Sequence, residues 1–364
     1  MPRKLAKGWT LSDCPTGIPR NKLRYDLDGV QRMLSLLAEH SDRFSTLRLT
    51  GSAWPRLMPF SRFRGRLSRL EILELSRQYS GLLETGQFQI APQLHTIRTP
   101  GSHLTGTAVD PERPWLDIPR PQIRSLVISR PYDMAGAGGD RILQLEAFPN
   151  LSSLTLDFEA YGSDAIQTMS GNPSVRFTLH RLSYWKIQVA SKLEVPQLGW
   201  MMDHFKTPAL GTLHITYFTE PSNLCDLLRR SQCSLKRLVL QRCAIRVGDL
   251  LSVLELAPSL DSLVIDNGSI PTMVTDKFFQ GLTLDSGGRT IAPVLRELRI
   301  RGQYFFNGGK VLEMLESRVG HDLAVVQLVL SQDALKDSDA ERLRAYAGIR
   351  VSLDCVPARP YADL

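Results

Sequence analysis

One pattern recurs along nearly the whole of this chain: apolar, two variable residues, apolar, one variable residue, apolar. It reads as Phe44-Leu47-Leu49, Leu70-Leu73-Leu75, Leu94-Ile97-Thr99, Ile123-Leu126-Ile128, Leu151-Leu154-Leu156 and Leu179-Leu182-Tyr184. It continues as Leu210-Leu213-Ile215, Leu235-Leu238-Leu240, Leu260-Leu263-Ile265, Leu295-Leu298-Ile300 and Val325-Leu328-Leu330. Ile349–Leu353 reads as a last, degenerate strand. The central residues recur about every 28 residues, at the upper end of the range for leucine-rich repeats. Several copies have a short Pro or polar lead-in, as in Pro149-Asn150 and Pro258-Ser259.

The spacing dictates the local structure. Alternation of apolar and variable residues gives a short strand with one buried face, and the apolar residue three positions earlier packs the turn into it. One unit cannot bury its leucines alone, but a neighbour stacked on it can, and the strands then form a parallel ladder. Helical spacing of apolar residues appears between the strands, in Val30–Ala38, Gln197–Phe205, Ser222–Arg230, Arg246–Ala257 and Asn307–Val319. Gly101–Pro121, with four prolines, reads as an irregular loop. The expected fold class is α/β: a leucine-rich-repeat solenoid, or horseshoe, with parallel strands on the concave face and helices and loops on the convex face. The expected organisation is an N-terminal arm over residues 1–28, a single solenoid of about eleven irregular repeats over 29–355, and a tail over 356–364. Leu154, Leu182, Leu213, Leu238 and Leu263 are expected in its interior.

These irregular repeats resemble those of the ribonuclease-inhibitor-like leucine-rich proteins. More narrowly, the chain resembles the repeat region of fungal F-box/leucine-rich-repeat proteins. The passage Leu27–Gly51, LDGVQRMLSLLAEHSDRFSTLRLTG, carries the likeness: a helix, His-Ser-Asp-Arg, then the first strand. Cys243 also falls where such repeats place an Asn or Cys to bond the turn, three residues after the last strand leucine, whereas Ser52, Glu159 and Gly268 depart from that pattern. The resemblance implies a substrate-recognition subunit of a cullin-type ubiquitin ligase. An F-box, which would dock a Skp-type adaptor, is not read in residues 1–28. That stretch is short and broken by Pro2, Pro15 and Pro19.

Composition narrows the alternatives. The hydrophobic fraction of 43% and charged fraction of 22% suit a folded protein. No C-x-x-C pair occurs among the five cysteines, Cys14, Cys225, Cys233, Cys243 and Cys355, so neither a disulfide framework nor a zinc site is expected. The start MPRKLAKGWTLSD lacks an apolar signal core, and no run of 18 apolar residues occurs. A reducing intracellular compartment, cytoplasmic or nuclear, and a monomer are the expectation. Asp285-Ser286-Gly287-Gly288 is similar to the serine segment of chymotrypsin-like proteases, but the matching His and Asp pattern is missing. Gly136–Gly139 lacks the ending of a phosphate loop, and Asp26–Gly29 lacks the later ligands of a calcium loop. No catalytic residue, cofactor or metal is expected.

The expected activity is protein binding by side chains projecting from successive strands. The candidate residues are Asp157, Arg181, Trp185, His214, Arg237, Gln241, Asp266, Arg299 and Arg301. Trp185 reads as an exposed anchor, the arginines as contacts for an acidic partner, and Asp157 and Asp266 as register-setting charges. The net charge of +7 leaves one alternative, nucleic-acid association through Arg56, Arg62, Arg64, Arg66 and Arg69, interleaved with Phe60 and Phe63.

Overall fold

The computed structural model describes residues 32, 35–49, 63–75, 88–101, 104, 118–129, 145–158, 177–189, 199, 202–268, 273–284, 290–302, 306–319, 321–331, 337–344 and 350–356. The chain forms two compact units, the first Met1–Glu159 with Gln167–Gly171, the second Ala160–Ile166 with Asn172–Leu364. Both are α/β repeat ladders.

The first unit holds five parallel strands, β1 (Thr46–Leu49), β2 (Ile72–Leu75), β3 (Thr96–Pro100), β4 (Ser125–Ser129) and β5 (Ser153–Phe158), each paired with the next. Burial alternates along β5, with Leu154, Leu156 and Phe158 inward and Ser153, Thr155 and Asp157 half-exposed. Side chains of a strand point alternately to its two faces, so this is the pattern the leucine spacing requires.

The second unit holds β6 (Phe177–Thr178), β7 (Tyr184–Val189), β8 (Phe205–Lys206), β9 (Thr212–Thr216), β10 (Arg237–Gln241), β11 (Ser262–Gly268), β12 (Glu297–Gly302), β13 (Val325–Ser331) and β14 (Arg350–Val356). Strands β7, β9, β10, β11, β12, β13 and β14 pair in that order, all parallel, and β6 pairs separately with β8. Five helices with described bounds return the chain between strands: α1 (Pro221–Ser231), α2 (Val247–Glu255), α3 (Asp276–Leu282), α4 (Gly308–Ser317) and α5 (Asp337–Arg344), and Gly199 and residues 202–204, between β6 and β8, are helical as well. Helix α1 opens on Pro221, whose missing N–H costs nothing at a helix start, and closes on Gln232 in the left-handed region. Leu224, Leu227 and Leu228 of α1, and Leu250, Val253 and Leu254 of α2, face the core. The expected spans over Ser222–Arg230, Arg246–Ala257 and Asn307–Val319 thus correspond to α1, α2 and α4. Helices α3 and α5 were not read from the sequence.

A second regularity fixes the register. Just before nine of the strands, two consecutive amides donate to a single carbonyl of the preceding copy. In the first unit the accepting carbonyls belong to Ser45, Glu71, His95 and Arg124. In the second they belong to Ser183, Gly211, Lys236, Asp261 and Arg296. One turn earlier, the first apolar residue of a copy donates to the carbonyl three residues before it, as Leu70 to Leu67, Leu151 to Phe148, Leu182 to Leu179 and Leu210 to Thr207.

Two copies therefore sit in a different register from the one expected. In β7 the triplet is Leu182-Trp185-Ile187, with Trp185 opposite Leu213. Leu179 belongs to the lead-in turn, at the place Thr207 and Phe148 hold in their copies. The sequence misled because Leu179, Leu182 and Tyr184 satisfy the same spacing three residues early. In β13 the triplet is Leu323-Val326-Leu328, since Val326 pairs with Leu298. Residues Val325 to Leu330, apolar but for Gln327, fit the template in both registers. The final strand does form, and Val351 of β14 pairs with Val326.

Leu154, Leu182, Leu213, Leu238 and Leu263 are all fully buried, as expected. Each contributes roughly 1.5–3 kcal/mol of burial. Arg318, at the end of α4, is the unusual core member. It is buried, and its guanidinium donates to the carbonyls of Leu282 at 2.8 Å, Ile291 at 2.9 Å and Ala292 at 3.1 Å. Burial pushes its pKa down to about 10, which still leaves it charged at neutral pH. A cation here complements the orphan carbonyl at the end of α3 and ties the chain entering β12 to it.

Candidate interaction face on the strand ladder

On each ladder the residues flanking the central apolar position point away from the core. In the second unit the row just before that position reads Tyr184, Thr212, Arg237, Ser262 and Glu297. The row just after it reads Lys186, His214, Val239, Val264, Arg299 and Gln327. Beyond these, Gln241, Asp266 and Arg301 stand side by side on β10, β11 and β12. The ladder brings together six of the sequence-predicted residues: His214, Arg237, Gln241, Asp266, Arg299 and Arg301.

Trp185 is not among them. It occupies the central core position of its copy and is fully buried, its ring edge-to-face with Phe205 at 5.7 Å. Phe205 in turn meets Phe177 at 6.3 Å, so the short β6–β8 pair supplies aromatic neighbours for a residue bulkier than the leucine it replaces. Its indole N–H has no hydrogen-bond partner among the described residues, in keeping with a packing role. Arg181 is exposed but lies in the lead-in turn, two residues ahead of Ser183, and so does not join Arg237 in its row. Both corrections follow from the shifted register of β7, which puts Tyr184 in the row of Arg237, Lys186 in the row of His214 and the exposed Gln188, one residue past Ile187, where Trp185 was expected. Asp157, on β5, belongs to the first unit, opposite Ser129.

The face has a graded chemistry. The His214 ring nitrogen Nε2 lies 3.0 Å from Gln241 Oε1. Burial pushes the pKa of His214 down, the Gln241 contact opposes this, and the positive charges of Lys186 and Arg237 lower it further. Burial alone would raise the pKa of Glu297. The Ser262 hydroxyl, which donates to it at 2.5 Å, and the charges of Arg299 and Arg237 outweigh that and hold its carboxyl below the usual range. Arg299 also contacts Glu297 at 2.5 Å. Lys186 and Arg237 have no carboxylate within ion-pairing distance among the described residues. At the strand exits, Tyr217 and Arg242 occupy equivalent positions with φ of 55° and 51°, and the Arg242 guanidinium lies over the Tyr217 ring and donates to its hydroxyl.

The opposite side of this unit carries the other sign. The exposed charged residues of α1 to α4 are Asp226, Asp249, Glu255, Glu313 and Glu316 against Arg229 and Lys277. Cations outnumber acids on the strand face and acids outnumber cations on the helix face, so the field on the strand side attracts anionic groups.

Behind the face, the turn position expected for Cys243 is confirmed. Its thiol donates to the carbonyls of Gln241 and Ile215, and its amide donates to Asn267 Oδ1 at 2.9 Å. Asn267 is the ladder asparagine of the next copy, passed over in the sequence because it stands one residue short of the expected place. Burial pushes the Cys243 thiol up to about 12, which leaves it unreactive. Cys225, Cys233 and Cys243 are unpaired. Among the described residues no group of His, Cys, Asp and Glu could hold a metal ion, and no helix is long and apolar enough to cross a membrane.

In the basic segment of the first unit, Arg64, Arg66 and Arg69 are exposed and Phe63 is buried beneath them, while Arg56, Phe60 and Arg62 lie outside the described residues.

No family model matches the chain, and no curated protein matches its sequence. Among solved structures, the Rad7 and Elc1 complex of yeast is similar at 14% identity and a TM-score of 0.34, covering 89% of this chain and 87% of that one.

Proposed function

We propose that this chain is a protein-interaction scaffold whose docking surface is the strand face of the second unit, and that it serves as a substrate-recognition adaptor of the F-box/leucine-rich-repeat kind. The observation that carries the docking reading is a pair of cations on adjoining outward rows, Lys186 and Arg237, that meet no carboxylate within ion-pairing distance among the described residues. They stand on strands whose opposite faces are fully buried. A rigid backbone presents them with little ordering left to lose on binding. The adaptor reading rests on the repeat resemblance carried by Leu27–Gly51. The role is binding without turnover, in a reducing intracellular compartment where Cys225, Cys233 and Cys243 stay as thiols, and as a monomer.

The test uses the full chain as bait, wild type beside Lys186→Glu/Arg237→Glu, with captured proteins quantified. Loss of specific partners from the double variant at an unchanged melting temperature supports the docking face. Equal capture by both chains overturns it. The adaptor reading is tested by titrating the full chain with a purified Skp-type adaptor, and absence of binding removes that part alone. Capture that depends only on Arg64, Arg66 and Arg69, and disappears steeply with salt, would favour nucleic-acid association instead.

A further inference from the structure

We propose that the partner element received by this face is an extended acidic peptide segment carrying a carboxylate at every third residue, which lies across the strands over Lys186, Arg237 and Arg299. The inference rests on the docking reading of the second unit and adds the chemistry and spacing of what docks.

The spacing comes from the ladder. Lys186 is on β7, Arg237 on β10 and Arg299 on β12, and the strand order β7, β9, β10, β11, β12 puts them two strands apart each time. Neighbouring strands lie about 4.8 Å apart, so the cations recur about every 10 Å across the ladder. An extended polyproline-type chain rises about 3.1 Å per residue and brings every third side chain to one side, a repeat of about 9.3 Å. The two periods match. Arg237 stands two residues earlier along its strand than the row of Lys186 and Arg299, on a strand midway between theirs, and its charge acts on both His214 and Glu297.

Between the cations the face is apolar or neutral. Val239 and Val264 lie in the same row, which suits uncharged residues between the acids. Arg299 is engaged by Glu297 but keeps further donors, because a guanidinium carries five. The same acids argue against a nucleic acid. Glu297 and Asp266 on this face repel a continuous phosphate chain, whose charges follow one another at about 3.4 Å per strand rather than 10 Å.

The probe is a fluorescein-labelled peptide of three Glu-Pro-Pro repeats, titrated with the full-length chain at low salt and read by anisotropy. Controls are a peptide of the same composition with its three Glu contiguous, a Lys-Pro-Pro peptide and a duplex DNA. The expected result is that the spaced acidic peptide binds best. Lys186→Glu/Arg237→Glu should weaken it at least about tenfold, and Arg299→Gln less, with each variant's melt unchanged. Equal binding of the spaced and contiguous acidic peptides overturns the spacing, and binding of the lysine peptide overturns the charge. Tighter binding of DNA, insensitive to Lys186 and Arg237, overturns the choice of partner. If the spaced peptide fails to bind while partner capture still depends on Lys186 and Arg237, this inference fails and the docking reading stands. If neither depends on them, both fail.

Discussion

In the first unit the outward row after the central leucines begins Arg48, Glu74, Arg98, and Glu74 sits 2.8 Å from one guanidinium and 4.0 Å from the other. In the second unit the corresponding row begins Lys186, His214, Val239, and neither Lys186 nor the neighbouring Arg237 meets a carboxylate among the described residues. The remaining outward residues of the first ladder are mostly small or neutral, among them Thr46, Thr96, Ser125, Val127 and Thr155. One backbone template thus carries two chemistries. Core positions are interchangeable between the units because stacking demands only apolar volume. The outward rows are free of that demand, so their charges either pair within the ladder or remain for a partner.

The sharpest break in the comparison lies underneath, where the central core position holds Trp185 on β7 and Leu154 on β5. Trp185→Ala is expected to cost roughly 3–5 kcal/mol and Leu154→Ala roughly 2–5 kcal/mol, read by urea denaturation. The larger cavity and the loss of the Phe205 contact set the tryptophan apart. A near-zero cost at Trp185 would place it back on the surface and undo the register of β7, and with it the row that contains Lys186.

Most of the ladder was legible because period-two burial is written directly in the leucines, and nine of the eleven copies sit where the spacing puts them. The two slips share one cause. A template of three apolar residues cannot choose between registers where the lead-in turn also supplies a leucine, as at Leu179, or where both faces of the strand carry apolar residues, as from Val325 to Leu330 with Gln327 the one polar member. The choice is made by backbone amides converging on the Ser183 carbonyl, which no side-chain pattern records. The candidate face suffered more than the core from the same slip. A shift in register exchanges inward for outward residues, so Arg181 gives way to Tyr184 and Trp185 to Gln188, while Lys186 enters the row of His214. Residues on β9 to β12, in copies with a single reading, kept their places.

The second way to sharpen the contrast is to remove the pairing in the first unit. Glu74→Gln releases Arg48 and Arg98 while keeping the size of the side chain. Because the pairs are partly exposed, the stability change should stay within about 1 kcal/mol. The variant should gain weak binding of the Glu-Pro-Pro peptide at low salt, retained when Lys186 and Arg237 are also reversed. No gain would mean that paired charge is not what separates the two faces.

The smallest expected effect concerns pH. The described outward rows of the first unit contain no histidine, whereas the second has His214 between Lys186 and Arg237, with its pKa held down chiefly by burial. A histidine whose folded pKa lies below its unfolded value adds stability that is complete above the unfolded pKa of about 6.5 and lost as pH falls through the folded value. Acid therefore opposes the free face by adding a positive charge beside Lys186 and Arg237. A bound carboxylate reverses the preference, because it favours the charged imidazole. Peptide affinity for the second unit should accordingly rise by about threefold between pH 7.5 and pH 5.5, while the peptide's own carboxylates remain ionised. His214→Gln removes the titration and leaves an amide able to meet Gln241, so its affinity should be flat over that interval. A rise that survives this substitution would assign the titration elsewhere and leave His214 as a spacer between the two cations.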